Sequence, residues 1–522
     1  MIGIIPAAGK GTRFKELGKQ YSKTILPYKE KPILIHQIEW LENNGCNDIR
    51  VVVNHQEESI KNILYMYNKT GIKIVRQEEQ NGLSGAVFCA LEKNYNDNVL
   101  VLLGDLVAKT NISNDLKDHN FISVQKVPDY SRWCMVDADV SPVKFYDKVS
   151  ERPPTNLAVS GIYHFTSSSL LRNLLKEQLK NESNKINNEF QLSTVLQEIA
   201  NDDDFLIIET ELIDFGTLEE YLDNRSVKIS RSFNDITING NIVNKSSELE
   251  REKIIKEYNW FNNLPTDIKI HTPRIFEREF FLPRTWYNME KVLCPSLREV
   301  YLFMDSSKET WDNIFNSMFD LLKKMEFHGQ KNSFMKTVVE KTVARVNDID
   351  IPVENKLIKE FVAYMENTIN DFSRPALMHG DFCFSNLLYD FQSNKVIMID
   401  PRGELFGDHY YEVAKIAHSV LFDYDFVDAE LYYIVSGKSY LYNKGKEEVK
   451  ETFMSYLDKY YSKQEQEYIF MITASLFLSM IPLHKHNRYN QEMYYEIFKR
   501  IFNDIKEGTN AFSTTRRTDI LT

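Results

Sequence analysis

The 522-residue chain has few cysteines and no paired ones. The five, Cys46, Cys89, Cys134, Cys294 and Cys383, are scattered, and none lies two residues from another. That excludes a zinc ribbon and a thioredoxin-like pair, and points to free thiols in a reducing compartment. An excess of basic residues is also missing. The 63 Lys and Arg stand against 75 Asp and Glu, a formal charge of -12. Such a field does not attract a nucleic-acid backbone, so no nucleic-acid partner is expected; one small basic pocket for a phosphate is still compatible with it. Long hydrophobic runs are absent too. The longest uncharged apolar-rich stretch, Tyr468 to Leu483, contains Thr and Ser and is short for a span. It reads as a core helix, and no membrane insertion is expected. The residues after Met1 run straight into a buried-looking strand without the basic start of a signal peptide, so the cytoplasm is the expected location.

What is present fits an ordinary globular protein, with 43% hydrophobic and 26% charged residues. The length exceeds one typical core, so two or more domains are expected. Short apolar strands are predicted at Ile2 to Pro6, Ile49 to Val53, Ile72 to Val75 and Val99 to Leu103. Helical spacing separates them: Ile35, Ile38 and Leu41 share a face, and Leu83 to Leu91 is rich in small residues. This alternation predicts a parallel sheet with right-handed crossovers, which binds ligands beyond the carboxyl ends of its strands.

Three polar clusters fall at those ends. In the first, Gly9-Lys10-Gly11-Thr12-Arg13, glycines permit a tight turn whose N–H groups can cradle a triphosphate, and Arg13 adds a permanent charge. The spacing is neither a Walker loop nor a dinucleotide fingerprint, and the plainer reading is a strand–helix turn with a surface Arg. The second is Lys23 in Ser22-Lys23-Thr24-Ile25-Leu26-Pro27, which can reach over that loop or simply be solvated. The third is Gly104-Asp105, whose carboxylate can hold Mg²⁺ or cap a helix.

Together, Ile4-Ile5-Pro6-Ala7-Ala8-Gly9-Lys10-Gly11-Thr12-Arg13, Lys23 near Pro27, and Leu103-Gly104-Asp105 resemble the nucleotidyltransferases that make nucleotide-diphospho-sugars and nucleotide-diphospho-alcohols, over residues 1–225. The family usually has Pro before the lysine, where this chain has Ser22. The resemblance implies a Rossmann-like mixed sheet with helices on both faces. It also implies roles. Ala8, Gly9, Gly11, Thr12 and Arg13 would hold the triphosphate, and Lys23 would neutralise the α-phosphate. Gln77 would read the base and Gly82 would leave room for it. Asp105 and Asp214, the latter in Ile213-Asp214-Phe215-Gly216-Thr217, would hold Mg²⁺. With no hexapeptide-repeat tail, the domain resembles the compact cytidylyltransferases acting on phosphocholine-like alcohols, and equally minimal sugar-1-phosphate enzymes. CTP is the expected nucleotide, with GTP or UTP as alternatives.

A second domain is expected over 226–522. Its opening alternation, with Asn239-Gly240 as a type I′ turn signal, reads as a hairpin. Ser247 can cap a helix from Leu249 to about Asn262 that carries Glu250, Glu252 and Glu257. Further on, His379, Asp381 and Asn386 share one loop, and Asp400 ends the apolar strand Val396 to Ile399. A general base, a carboxamide able to reach a metal and a facing carboxylate are the layout of phosphoryl transfer. The span 379–403 resembles the small-molecule kinases of the aminoglycoside phosphotransferase and choline kinase superfamily. That implies a two-lobed protein-kinase-like domain: a small β-rich lobe over 226–292 and a large helical lobe over 293–522. Asp381 would accept the alcohol proton or orient the hydroxyl, and Asn386 and Asp400 would bind Mg²⁺. Lys245 would pair with the ATP phosphates, held by Glu257 or alternatively by Glu250 or Glu252. Glu290, in Met289-Glu290-Lys291, would sit at the adenine hinge. No glycine-rich loop of the protein-kinase type precedes Lys245. Arg402 could orient a phosphate or pair with an acid, and Asp408 and Glu412 could support the catalytic loop. Tyr410, Tyr411, Phe422, Tyr424 and Phe426 suggest either core packing or an aromatic cage for a quaternary ammonium.

The resulting expectation is a bifunctional enzyme. The second domain phosphorylates a small alcohol or sugar with ATP. The first transfers a nucleotidyl group to that phosphomonoester and releases pyrophosphate, for surface polysaccharide or lipid decoration. The alternative is a sugar-1-phosphate nucleotidyltransferase whose second half regulates or dimerises it. A homo-oligomer is compatible with either.

Overall fold

Strands buried on both faces and helices buried on one need different sequences, and the first half of the chain supplies both. A computed structural model describes the chain except for residues 10–21, 30, 55–56, 80, 94–95, 203–204, 218–219, 222–223, 225–234, 281–283, 370–371, 436–437, 444 and 509–522. The chain divides into two units, Met1–Ser226 and Val227–Thr522.

In the first unit the strands Ile2–Pro6, Asp48–Val53, Lys73–Arg76 and Val99–Leu102 run parallel. The helices Ile33–Asn43, Glu57–Met66 and Gly82–Ala90 connect them. Alternate residues of the first strand serve opposite faces. Ile2 and Ile4 pack in one core with Ala86 and Val87. A Cβ at Gly3 would lie 3.1 Å from Leu41 Cδ1, so the helix Ile33–Asn43 covers the other face. The strand alternation did not foretell the antiparallel half. Leu157–Phe165 pairs antiparallel with both Val99–Leu102 and Asn120–Lys126, and Phe205–Glu209 joins Asn120–Lys126 in parallel. The hairpin Cys134–Asp137 and Lys144–Asp147 extends the same edge. The result is a mixed, Rossmann-like sheet of nine strands among the described residues. Outside it, Leu106–Ala108 and Leu212–Asp214 form a small antiparallel ribbon.

In the second unit, Asp235–Asn239, Ile242–Ser247, Thr285–Glu290 and Ile275–Glu279 form an antiparallel sheet in that order, with the helix Arg251–Asn263 packed on it. The hairpin register, Asn239 opposite Ile242, puts Gly240 and Asn241 in the loop. Only Gly240 of the two has a positive φ, +57°. That is the pattern of a type II′ turn rather than the expected I′. The rest is mostly helical, with two short ribbons, Pro375–Leu377 with Phe406–Asp408 and Leu387–Asp390 with Lys395–Met398. Among the described residues one helix, Lys463–His484, is long and apolar enough to cross a membrane. Ile469, Met471, Ile472, Phe477 and Leu478 are fully buried on it, and it packs against His409–Val420 and Arg488–Glu507 as a core helix.

Candidate active sites

The first site grows from the carboxyl end of the strand Ile2–Pro6. The Ala7 N–H donates to the Val52 carbonyl at 2.8 Å, and Asn54 Nδ2 donates to the Ala8 carbonyl at 2.7 Å. A Cβ at Gly9 would meet nothing within 4 Å, so that backbone faces open space. Gly11, Thr12 and Arg13 lie outside the described residues. Gly104 approaches this loop so closely that a Cβ there would stand 2.4 Å from the Pro6 carbonyl oxygen. Gln37, fully buried, fixes the next turn: its Nε2 donates to the carbonyls of Leu103 at 2.9 Å and Leu106 at 2.8 Å. Asp105 sits in that turn.

Residues far apart in sequence meet at Asp105. The Phe215 N–H donates to its carbonyl at 2.8 Å. Lys23 Nζ lies 3.5 Å from Asp105 Oδ2 and donates to the Gly216 carbonyl at 2.7 Å. The Gly216 N–H donates to Asp214 Oδ1 at 2.7 Å. A Cβ at Gly216 would lie 2.9 Å from Asp214 Oδ1 and 3.7 Å from Asp105 Oδ2, so both carboxylates border one small volume. Burial, then the charges of Asp105 and Glu220, push the Asp214 carboxyl up to about 6. Glu220 is itself held by Arg132 at 2.8 Å and by the Thr217 N–H at 3.0 Å. Two crowded carboxylates with one lysine beside them suit a hard cation. Among the described residues no group of three or more His, Cys, Asp or Glu could hold a metal. Mg²⁺ needs no such cage, since it takes one or two carboxylates and completes its shell with water and substrate phosphates.

Gln77 is buried, and its Nε2 lies 3.5 Å from the Gly82 carbonyl. Gly82 has φ +68°, and a Cβ there would stand 2.6 Å from the Phe190 carbonyl oxygen. Its missing side chain thus makes room for the Phe190 backbone. The glycine that faces Gln77 is Gly85, where a Cβ would lie 2.9 Å from Gln77 Nε2.

In the second unit Lys245 lies inside the strand Ile242–Ser247 and is almost fully buried. It pairs with Glu257 Oε1 and, at 2.7 Å, with Asp400 Oδ1. Tyr287 donates its hydroxyl to the same Glu257 oxygen at 2.7 Å. Of the three helix glutamates, Glu257 is therefore the one that meets the lysine. Burial works against the Lys245 charge, but Asp400 and Glu257 outweigh it and push the ammonium above its ordinary value. Asp400 is held at φ +60°, a left-handed conformation that a non-glycine residue rarely adopts.

The loop opposite is braced from behind. His379, fully buried, donates Nε2–H to the Ile399 carbonyl at 2.9 Å and accepts the Asp381 N–H on Nδ1 at 3.3 Å. Burial lowers its imidazole to about 4, so it is neutral at ordinary pH. Asp381 accepts from Asn386 Nδ2 at 2.9 Å through Oδ2, and Lys415 reaches Oδ1 at 2.8 Å. Burial alone would raise Asp381. Lys415 first, then Arg402, hold it well below the usual carboxylate range. Glu412 Oε1 accepts the Gly380 N–H at 2.9 Å, at a position where φ is +83°. Asn386 and Asp400 supply the oxygen donors that Mg²⁺ prefers.

Glu290 is placed differently. Its N–H donates to the Arg274 carbonyl at 2.8 Å, and its carboxylate accepts the Arg274 N–H at 3.2 Å. Three side chains that build these sites were not singled out by pattern: Gln37, Asn54 and Lys415. A signal existed for Lys415, since it alone interrupts the otherwise apolar run from Val413 to Ala417.

Known proteins resemble the first unit. Bifunctional protein GlmU of Methanococcus vannielii is 30% identical over 261 residues, 47% of this chain and 60% of that protein. UTP--glucose-1-phosphate uridylyltransferase of Staphylococcus epidermidis is 28% identical over 236 residues, 38% of this chain and 80% of that protein. Among solved structures, UDP-glucose pyrophosphorylase complexed with UDP-glucose is 20% identical, covers 43% of this chain and 96% of that one, and has a TM-score of 0.37. The chain thus spans less than two thirds of the first relative's length. The model of the nucleotidyl transferase family matches residues 2–228, which is the first unit with its glycine-rich loop, Lys23, Asp105 and Asp214.

Proposed function

We propose that the first unit transfers a nucleotidyl group to a phosphomonoester and that the second makes such phosphomonoesters from ATP. The observation that carries the first half is the meeting of Lys23, Asp105 and Asp214 at the carboxyl end of the parallel strands. An acceptor phosphate oxygen attacks the α-phosphorus, the bond to the β-phosphate oxygen breaks, and pyrophosphate leaves. Lys23 neutralises charge that develops on the α-phosphate, and the backbone at Ala8 and Gly9, with Gly11, Thr12 and Arg13, holds the triphosphate. Asp105 and Asp214 would hold Mg²⁺, which when bound supplies further charge neutralisation. The acceptor oxygen is already anionic, so no side-chain base is required. CTP is the nucleotide expected from the sequence. UTP is the second reading, favoured by the name of the uridylyltransferase relative.

The second unit is read as a small-molecule kinase of protein-kinase-like fold. Support comes from Lys245, Glu257 and Asp400 in one ion cluster, with Asp381 and Asn386 bonded to each other on the catalytic loop. The alcohol oxygen bonds to the γ-phosphorus, its proton passes toward Asp381, and ADP leaves. With Lys415 holding its pKa low, Asp381 is a weak base that is always ionised, so orienting the hydroxyl is its larger task. Asn386 and Asp400 would hold Mg²⁺. The test supplies the full chain with ATP, Mg²⁺, each nucleoside triphosphate and a panel of alcohols and sugars, and reads nucleotide-linked products by mass spectrometry. The phosphorylated acceptor should remove the need for ATP. An absolute ATP requirement with that acceptor would favour a regulatory second unit instead.

A further inference from the structure

Arg402, whose charge acts on Asp381, gathers two further cations that phosphoryl transfer itself does not use. Arg402 is fixed to the catalytic loop, because its N–H donates to the His379 carbonyl at 2.9 Å. Its Nη1 donates to the Tyr411 hydroxyl at 3.0 Å. The Tyr411 ring meets Phe334 edge-on at 4.9 Å, which brings the helix Phe334–Val346 against the same tyrosine. Lys341 and Arg345, four residues apart, share a face of that helix. Both lie in the field of Arg402, with Glu404 the one carboxylate acting on Lys341. Repulsion from Arg402, with burial and Arg345 adding to it, holds Lys341 below its ordinary value. Burial and then Arg402 do the same to Arg345. Lys415, by contrast, is matched by Asp381 at 2.8 Å. Among the described residues none of Arg402, Lys341 and Arg345 makes an ion pair. Asp381 and Glu404 favour the Arg402 charge, but Glu404 alone offsets Lys341, and like charges gathered this way are unfavourable until a further anion joins them.

The ATP phosphates have their own cation in Lys245, so this second cluster belongs to the acceptor side of Asp381. The aromatic residues offer no competing site for a cation. Tyr410 donates to Glu465, Phe422 packs on Phe470 and Phe477, Tyr424 stacks on His418, and Phe426 meets Tyr301. Phe422 and Tyr424 share one core cluster through His418 and Phe477, and the chain's own Arg374 and Arg500 already lie over the Tyr410 and Phe422 rings.

We propose that Arg402, Lys341 and Arg345 bind an anionic group on the alcohol that Asp381 orients. The acceptor would then be a hydroxy acid or an alcohol phosphate, and neither a neutral polyol nor a quaternary ammonium alcohol. This rests on the phosphoryl-transfer reading of the second unit. The reaction balances as before: the acceptor hydroxyl oxygen joins the γ-phosphorus, its proton goes to Asp381, and the β–γ bridging oxygen leaves with ADP.

The test uses the full chain with glycerol, glycerate, glycerol 3-phosphate and choline. Each is titrated by calorimetry and offered as acceptor in an ADP-release assay with Mg·ATP. Lys341→Ala, Arg345→Ala and the double variant follow; Lys341 is exposed and Arg345 half-buried, and circular dichroism confirms that each folds. The two anions should bind at least about tenfold more tightly than glycerol or choline, and less tightly as salt rises. The double variant should weaken anion binding by about 10- to 100-fold, the usual worth of charge-assisted hydrogen bonds, with the KM for Mg·ATP moving less than about twofold. A preference for glycerate over glycerol 3-phosphate identifies a carboxylate, and the reverse a phosphate. Anions that bind no better than glycerol overturn the proposal. So does a double variant that raises the KM for Mg·ATP in place of the acceptor's. Tight anion binding with no ADP release in any arm would sink the kinase reading and leave the anion site standing.

Discussion

Replacing Asp381 by Asn separates that residue's charge from its shape. Oδ2 accepts from Asn386 Nδ2 at 2.9 Å, and Oδ1 faces Lys415 Nζ at 2.8 Å. Both neighbours are donors. An asparagine presents one oxygen and one NH₂, so whichever way its amide turns, two donors face each other. A buried donor left without an acceptor costs about 1–3 kcal/mol. In a unit of this size that moves Tm by roughly 2–4 °C per kcal/mol, so a drop of about 2–12 °C is expected in the second unit's transition. Asp381 is 30% exposed, which favours the lower part of that range. Phosphorylation should fall by roughly 10²- to 10⁴-fold, because the charge that orients the hydroxyl and receives its proton is lost. Mg·ATP affinity should change little, because Lys245, Glu257 and Asp400 keep their cluster. Asp400→Asn removes one of the two carboxylates on Lys245 and should weaken Mg·ATP binding and turnover together. Calorimetry of Mg·ATP binding beside steady-state phosphorylation decides the matter. The reasoning fails if Asp381→Asn loses Mg·ATP binding as severely as Asp400→Asn, or if it turns over normally.

Lys23→Ala should remove about 3–4 kcal/mol of transition-state stabilisation from nucleotidyl transfer and leave ATP-dependent phosphorylation in place. Near-normal pyrophosphate release by this variant would reject the assignment. Glu412 is pushed up to about 8, from an ordinary 4.5, by burial. A carboxyl raised in the folded state stabilises fully below its unfolded pKa, and that contribution is lost as pH rises through the folded value. Glu412→Gln keeps an acceptor for the Gly380 N–H and removes the titration. The variant's second unit should therefore lose less stability than the wild type between about pH 5 and 9; parallel melting curves across that range would disprove it.

The parallel half of the first sheet was legible because its strands are short apolar runs separated by helical spacing. Leu157–Phe165 was harder. Its antiparallel pairing with both Val99–Leu102 and Asn120–Lys126 depends on partners that local pattern does not specify. Lys23 and Asp105 stood out as polar residues near strand ends, Asp214 was found through a family resemblance, and their meeting at Gly216 depends on the ribbon and not on local spacing. Asp381, Asn386 and Asp400 were marked by their spacing about one loop and the strand after it, and Lys245 by a family resemblance, yet its glutamate partner stayed open among three until the ion pair singled out Glu257. Gln37 was invisible because a polar residue on an amphipathic helix normally reads as surface; here its amide is spent on two backbone carbonyls in a buried turn.

The ribbon of Leu106–Ala108 and Leu212–Asp214 ends on one carboxylate of the first site, Asp214, and begins one residue after the other, Asp105; it stands outside the nine-stranded sheet. Short two-stranded pairings are marginal by themselves, whereas the interior strands open only when the whole unit does. Local opening of this ribbon would pull Asp214 away from Asp105 while the sheet stayed intact. In hydrogen exchange, the amides of Phe215 and Lys109, bonded to the Asp105 and Glu211 carbonyls, should exchange ahead of Val101 in the central strand. Heat should then silence nucleotidyl transfer at a temperature below the melting of its own unit, and a nucleotide added with Mg²⁺, which the two carboxylates would hold, should close that gap by slowing exchange at these two amides.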